Sequence, residues 1–149
     1  MPLDNRTIRW TLPFSLVALI LACSDEIPKS DPTVAGRWYT AAQLELGNSI
    51  FLQHCATCHG ETADGTADWR KADPSGNYPP PPLNGTAHGW HHPLSVLERT
   101  IAMGGVPLGG VMPGFSETLS KEEGRAAIAY FQSFWSDDIY ARWQKIDSR

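Results

Sequence analysis

Cys55-Ala56-Thr57-Cys58-His59 constrains this 149-residue chain more than any other stretch. On a helical turn, two thiols three positions apart share one face, and an imidazole follows directly. That pattern is the attachment site of a c-type haem, in which each thiol forms a thioether to one porphyrin vinyl group and His59 offers a nitrogen to the iron. Two other uses of C-x-x-C compete with it: a thioredoxin-like dithiol and half of a zinc site. The dithiol is expected beside a βαβ pattern, which the sequence lacks, and structural zinc takes four closed ligands. His59 has no part in either.

The remaining cysteine, Cys23, falls in a leader. Arg6 and Arg9 precede an apolar run from Leu12 to Ala22, the order of an export signal's charged and apolar regions. Eleven residues are too few to span a bilayer as a helix. Ile20-Leu21-Ala22-Cys23 resembles a bacterial lipobox, which implies cleavage before Cys23 and lipid attachment to it. An ordinary cleaved signal that discards Cys23 or leaves it a spare thiol is the other reading. Residues 1–23 are therefore expected to be an export signal with a lipobox-like end. Export agrees with thioether haem attachment outside the cytoplasm, on the periplasmic side of a membrane.

Residues 24–40 hold Pro28, Pro32 and Gly36 among polar groups with no apolar period, and read as a tether closed by Arg37-Trp38-Tyr39. The domain expected over 41–149 is one folding unit, small enough to gain from a covalent staple. Setting Arg6, Arg9 and Asp4 aside with the leader leaves 10 basic against 15 acidic side chains. That balance excludes nucleic acid as a partner and lacks the lysine-rich patch that steers toward acidic surfaces. Redox proteins with a neutral, apolar or basic face fit better, although an acidic balance also serves solubility alone.

The fold class expected is all-α with long loops. Ala41 to His54 places Leu44, Gly47, Ile50 and Phe51 three or four residues apart and runs straight into the cysteines. Pro93, suited to a first helical position, opens Leu94 to Met103, with Leu94, Leu97, Ile101 and Met103 facing inward and Gly104 and Gly105 stopping the helix. Ser120 and Glu123 form a capping-box pattern ahead of Ile128, Phe131 and Trp135. Ser136 caps a last, extra helix from Asp137 to Ile146, with Ile139, Tyr140, Trp143 and Ile146 on one side.

From Ala41 to Trp135 the chain resembles the class I cytochrome c family. The resemblance implies a cytochrome c fold of three to four main helices enclosing one covalent haem c, with Gly47 and Phe51 meeting Tyr130 or Phe131 at a close helix crossing. Ordinary amphipathic packing accounts for the same positions. Met112-Pro113-Gly114-Phe115 looks like the family's methionine and proline. It follows Gly104, Gly105, Gly109 and Gly110, and glycines let backbone pass close to a porphyrin while proline stiffens the turn. Met112 is thus the expected sixth ligand, opposite His59. Met103, which suits core filling, and His54, His88, His91 and His92 are the other candidates, beside an open site.

Pro79-Pro80-Pro81-Pro82-Leu83-Asn84-Gly85 resembles the family's proline-x-leucine-x-glycine element. The resemblance implies that the Pro81 carbonyl accepts the Nδ1 hydrogen of His59, that Leu83 lies against the haem plane, and that the indole of Trp90 reaches a propionate. A stiff polyproline spacer is the plainer reading of the same run. His92 reads as a helix cap, with a haem contact as the other reading, His88 has no assigned role, and residues 61–78 read as a solvated insertion, with cover of a propionate edge or a docking site as the alternatives. The function expected is one-electron transfer at a closed, six-coordinate haem c, without bond chemistry by the protein itself. A haem subunit inside a larger oxidase or dehydrogenase is one alternative. A haem enzyme or gas sensor with a labile sixth position is the other.

Overall fold

The computed structural model describes residues 31–106 and 110–149. The leader, Cys23 and the first part of the expected tether lie outside the described residues. Five helices follow one another: α1 (Ala41–His54), α2 (Ala56–His59), α3 (Leu94–Met103), α4 (Lys121–Ser133) and α5 (Asp137–Asp147), with a 3₁₀ turn at Gly89–His91 before α3. Among the described residues the sole β pairing is an isolated bridge between Thr33 and Thr40. The fold is all-α, as the helical periodicities required.

Local chemistry sets the helix ends. Thr40 accepts from the Gln43 N–H at 3.1 Å while the Gln43 side chain takes the Thr40 N–H at 3.0 Å, a reciprocal cap that starts α1. Ser120 and Glu123 do the same for α4. Pro93 sits one residue earlier than expected, as the extended residue before α3, because its ψ of 161° is not helical. Gly104 alone stops that helix, with φ at 78°.

The α1–α4 crossing is the closest approach in the fold. A Cβ on Gly47 would lie 1.9 Å from the Ala126 carbonyl oxygen, so no side chain fits there. One turn on, Phe51 packs on Tyr130 with ring centroids 5.2 Å apart, which makes Tyr130 the partner of Phe51. The main core joins Phe51, Leu97, Ile128, Phe131, Trp135 and Trp143, while Ile50, Leu119 and Ala127 form a second cluster linked through Ile101.

One expectation needs correction. Met103 is 61 % exposed and fills no core, because on a helix of about 3.6 residues per turn it stands on the side opposite Leu94, Leu97 and Ile101. The end of the expected tether is packed: Tyr39 is 1 % exposed, the Trp38 indole donates to Gln132 Oε1 at 2.7 Å, and the Tyr140 hydroxyl accepts from the Trp38 N–H at 2.9 Å. Three aromatic or cationic side chains in a row, Arg37-Trp38-Tyr39, supply enough burial to order that segment. Arg37 also lies 4.0 Å above the Tyr140 ring.

Candidate haem attachment site

The single turn of α2 carries the pentapeptide. His59 is buried, Cys58 is exposed and Cys55 is half-buried, and both thiols are free. Burial, with a smaller contribution from Cys58, pushes the Cys55 thiol up to about 11. Since the thiolate is the form that exchanges disulfides or binds metal, Cys55 is poorly poised for either. A thioether carries no charge, so the burial that penalises a thiolate is compatible with that bond. Among the described residues no group of three or more His, Cys, Asp and Glu side chains is placed to hold a metal ion, which leaves the zinc alternative without a ligand set. The dithiol alternative lacks its sheet.

His59 is oriented from behind. Its Nδ1 donates to the Pro81 carbonyl at 2.9 Å, which leaves Nε2 as the acceptor nitrogen of the ring. Burial lowers the pKa of His59 and the Pro81 bond raises it by less, so the imidazole is neutral and available as a ligand. The residues present therefore fit a haem c: two thiols on one turn, the adjacent imidazole with a free Nε2, and an acceptor fixing its tautomer. Cys55, Cys58 and His59 form an attachment site for one covalent haem c.

A loop that sequence reasoning treated as solvated holds Pro81 in place. Gly60 ends α2 with φ at 76°, and the chain turns back so that the Gly65 N–H donates to the His59 carbonyl at 2.7 Å. Gly65 itself has φ at 61°, and a Cβ there would come within 2.4 Å of the Pro81–Pro82 peptide. Ala63, also left-handed at φ 59°, is fully buried and its carbonyl accepts from Leu83 N at 2.8 Å and Asn84 N at 3.2 Å. Asp64 accepts from Asn84 Nδ2 at 2.9 Å and from the Thr62 hydroxyl. The Gly60 and Gly65 pair was the available sequence signal. Farther out, Asp73 accepts from the N–H groups of Ser75 and Asn77 at 2.8 and 2.9 Å, and Trp69 stacks on His88 at 5.3 Å, so part of the insertion is folded. A cavity of about 490 Å³ opens there between Trp69, Arg70, Tyr78 and His88, with Pro79 and Pro81 behind it.

The other expected site residues lie on separate elements. Leu83 is half-buried against the main core. Trp90 packs on the same core from the 3₁₀ turn, its ring 3.8 Å from that of His91. His88 and His92 rings stand 5.7 Å apart, and His54 meets the edge of Phe115 at 6.4 Å. Met112 is half-buried on a loop that folds back onto the end of α3, where the Gly105 N–H donates to its carbonyl at 2.9 Å. A Cβ on Gly104 would lie 2.6 Å from that carbonyl oxygen, and one on Gly114 would lie 2.8 Å from the Ala102 carbonyl oxygen. Glycine is needed at both crossings.

A family model described as "Cytochrome C oxidase, cbb3-type, subunit III" matches residues 42–131, from the second residue of α1 to the packed end of α4. No curated protein and no solved structure matches the chain.

Proposed function

The chain belongs to the cbb3-type cytochrome c oxidase subunit III family, and on that premise we propose that it carries single electrons at a haem c held between His59 and Met112. The observation that carries this reading is the 2.9 Å contact from His59 Nδ1 to the Pro81 carbonyl, joined to the cysteine pair on one turn. When bound, the haem supplies one reversible electron at its iron. His59 holds its proton on Nδ1 and turns Nε2 outward. Gly104 and Gly114 let the Met112 loop close on α3, bringing a soft thioether whose ligation favours the reduced state relative to a second imidazole. Leu83 would exclude water from the haem, and the Trp90 indole would donate to a propionate.

The surface for exchange is proposed at the Met112 loop, where Met103, Val106 and Val111 are 61 %, 63 % and 52 % exposed. Acidic balance and apolar collar together suit a redox partner with a neutral or basic rim. We place the domain on the periplasmic side of a membrane. No helix among the described residues is long and apolar enough to cross one, so attachment through a lipid on Cys23 would supply anchoring. The family description favours a second form of the same reading, a haem subunit seated in a respiratory oxidase rather than a freestanding carrier. Co-purification with large subunits after mild detergent extraction separates the two forms.

Met112→Ala tests the ligation. The variant is expected to lose the low-spin, thioether-ligated spectrum, drop in potential and bind carbon monoxide rapidly when ferrous. An unchanged spectrum and potential would remove Met112 as ligand. Rapid carbon monoxide binding by the unaltered protein would favour the sensor or enzyme class.

A further inference from the structure

Proline has no N–H, so the run Pro79-Pro80-Pro81-Pro82 offers no backbone donor and is held through its carbonyls and its ends. On the leading side Thr66 N–H donates to the Pro80 carbonyl and His59 Nδ1 to the Pro81 carbonyl, both at 2.9 Å. On the trailing side the first donors are Leu83 and Asn84, which both go to the Ala63 carbonyl. Every one of those partners lies within residues 59–66, so the haem-attachment loop and the proline run hold one another.

Two bonds tie the pair to the helical core: the Tyr130 hydroxyl donates to the Glu61 carbonyl at 3.1 Å on the attachment loop, and Trp135 holds the proline run. The indole Nε1 of Trp135 donates to the Leu83 carbonyl at 2.7 Å. Trp135 is 2 % exposed, set between the rings of Phe131 at 6.1 Å and Trp143 at 6.0 Å. The turn after Leu83 also lies on that ring: Gly85 has φ at 93°, and a Cβ there would be 3.1 Å from Trp135 Cδ1.

We propose that Trp135 is a positioning residue for His59: its indole N–H pins the trailing end of the proline run, so that the Pro81 carbonyl meets His59 Nδ1 at a fixed distance. The inference rests on the reading of His59 as the axial ligand. Trp135 lies past the family match, which ends at residue 131, and nothing in that match assigns it. An acceptor on the far nitrogen increases the basicity of a ligating imidazole and favours the oxidised metal. Releasing the run weakens that bond and raises the potential.

The experiment compares Trp135→Phe with Trp143→Phe in matured protein. Both remove an indole donor from a buried ring, but Trp143 donates to the His92 carbonyl, at 2.9 Å and away from the proline run. Trp135→Phe is expected to raise the potential, move the His59 Nδ1 proton resonance and speed amide exchange at Leu83 and Asn84. The change in the reduced-to-oxidised ratio at fixed poise should stay below the ~10-fold typical of losing a direct outer partner. Trp143→Phe is expected to lower the melting temperature and leave potential and resonance in place. Gly85→Ala, which presses on the same contact from the other side, should shift potential in the same direction and serves if the Phe variant does not accumulate. An unmoved potential and resonance in Trp135→Phe, or an equal shift in Trp143→Phe, overturns the proposal. Covalent haem and axial ligation are read in the same samples: their absence from the unaltered protein sinks both readings, whereas their presence with no response to Trp135 sinks this one alone.

Discussion

The two sides of the site are built on opposite plans. On the His59 side, residues 59–66 and 80–84 exchange five hydrogen bonds between backbone groups, the imidazole and the Asp64–Asn84 side-chain pair, and Trp135 fastens them to the core. On the Met112 side, among the described residues, the loop bonds to itself from Gly105 N–H to the Met112 carbonyl and from Gly110 N–H to the Gly105 carbonyl, and otherwise leans on the last turn of α3 through Phe115 and Ser116. Its apolar side chains Val106 and Val111 face solvent. Exposed, loosely packed segments open locally more easily than ones keyed into buried backbone such as Ala63, so the difference assigns rigidity to the attachment face and give to the thioether face.

The strongest test of that contrast removes the attachment itself. Cys55→Ala or Cys58→Ala is expected to leave the porphyrin extractable into acidified organic solvent and to cut yield severely, since a domain this small loses its staple. Retention of all colour after extraction from either variant would contradict covalent attachment at that cysteine.

Next in size are the glycine crossings, one on each side. Gly65→Ala drives a Cβ into the Pro81–Pro82 peptide at a left-handed φ, and Gly104→Ala does so at the Met112 carbonyl. Each is expected to cost about 1–3 kcal/mol, the usual scale of overpacking against backbone, measured by denaturant unfolding. Their functional signatures should differ. Gly65→Ala should move the His59 Nδ1 proton and keep the thioether ligand, whereas Gly104→Ala should keep that proton and release the thioether at lower pH than the unaltered protein does. Identical spectroscopic changes in both would mean that the two faces are not independent.

Much of this arrangement was legible in the chain and some was not, for physical reasons. Capping residues Thr40 and Ser120 and the apolar period gave the ends of α1 and α4, because those interactions are local. Pro81 was found through the resemblance of residues 79–85 to the family's proline-x-leucine-x-glycine element, which no local physical rule would have supplied. Met103 was misplaced because it was grouped with Leu94, Leu97 and Ile101 by composition, although two residues past Ile101 the helix has turned it to the opposite face. Arg37-Trp38-Tyr39 was legible as the close of the tether from its composition, but its partners Gln132 and Tyr140, about a hundred residues away, were not. Ala63 and Trp135 carry no local signature at all: the first acts through a carbonyl, and the second through a bond to a residue 52 positions distant.

The smallest effect expected is a pH slope that belongs to neither face. Burial lowers the pKa of His92 below its ordinary 6.5, and the neighbouring His88 and His91 lower it further. The unfolded chain therefore takes up that proton at higher pH than the folded one, and stability falls as pH drops below about 6.5, levelling off beneath the folded value. In matured protein both nitrogens of His59 are engaged on the proposed ligation, so His59 should add little to this slope. His92→Gln is then expected to flatten unfolding free energy between pH 7 and 5, with the visible spectrum unchanged throughout. A slope that survives the substitution would move its origin to His59, and with it would place the first proton-sensitive step on the attachment face, reversing the order of rigidity argued for the two sides.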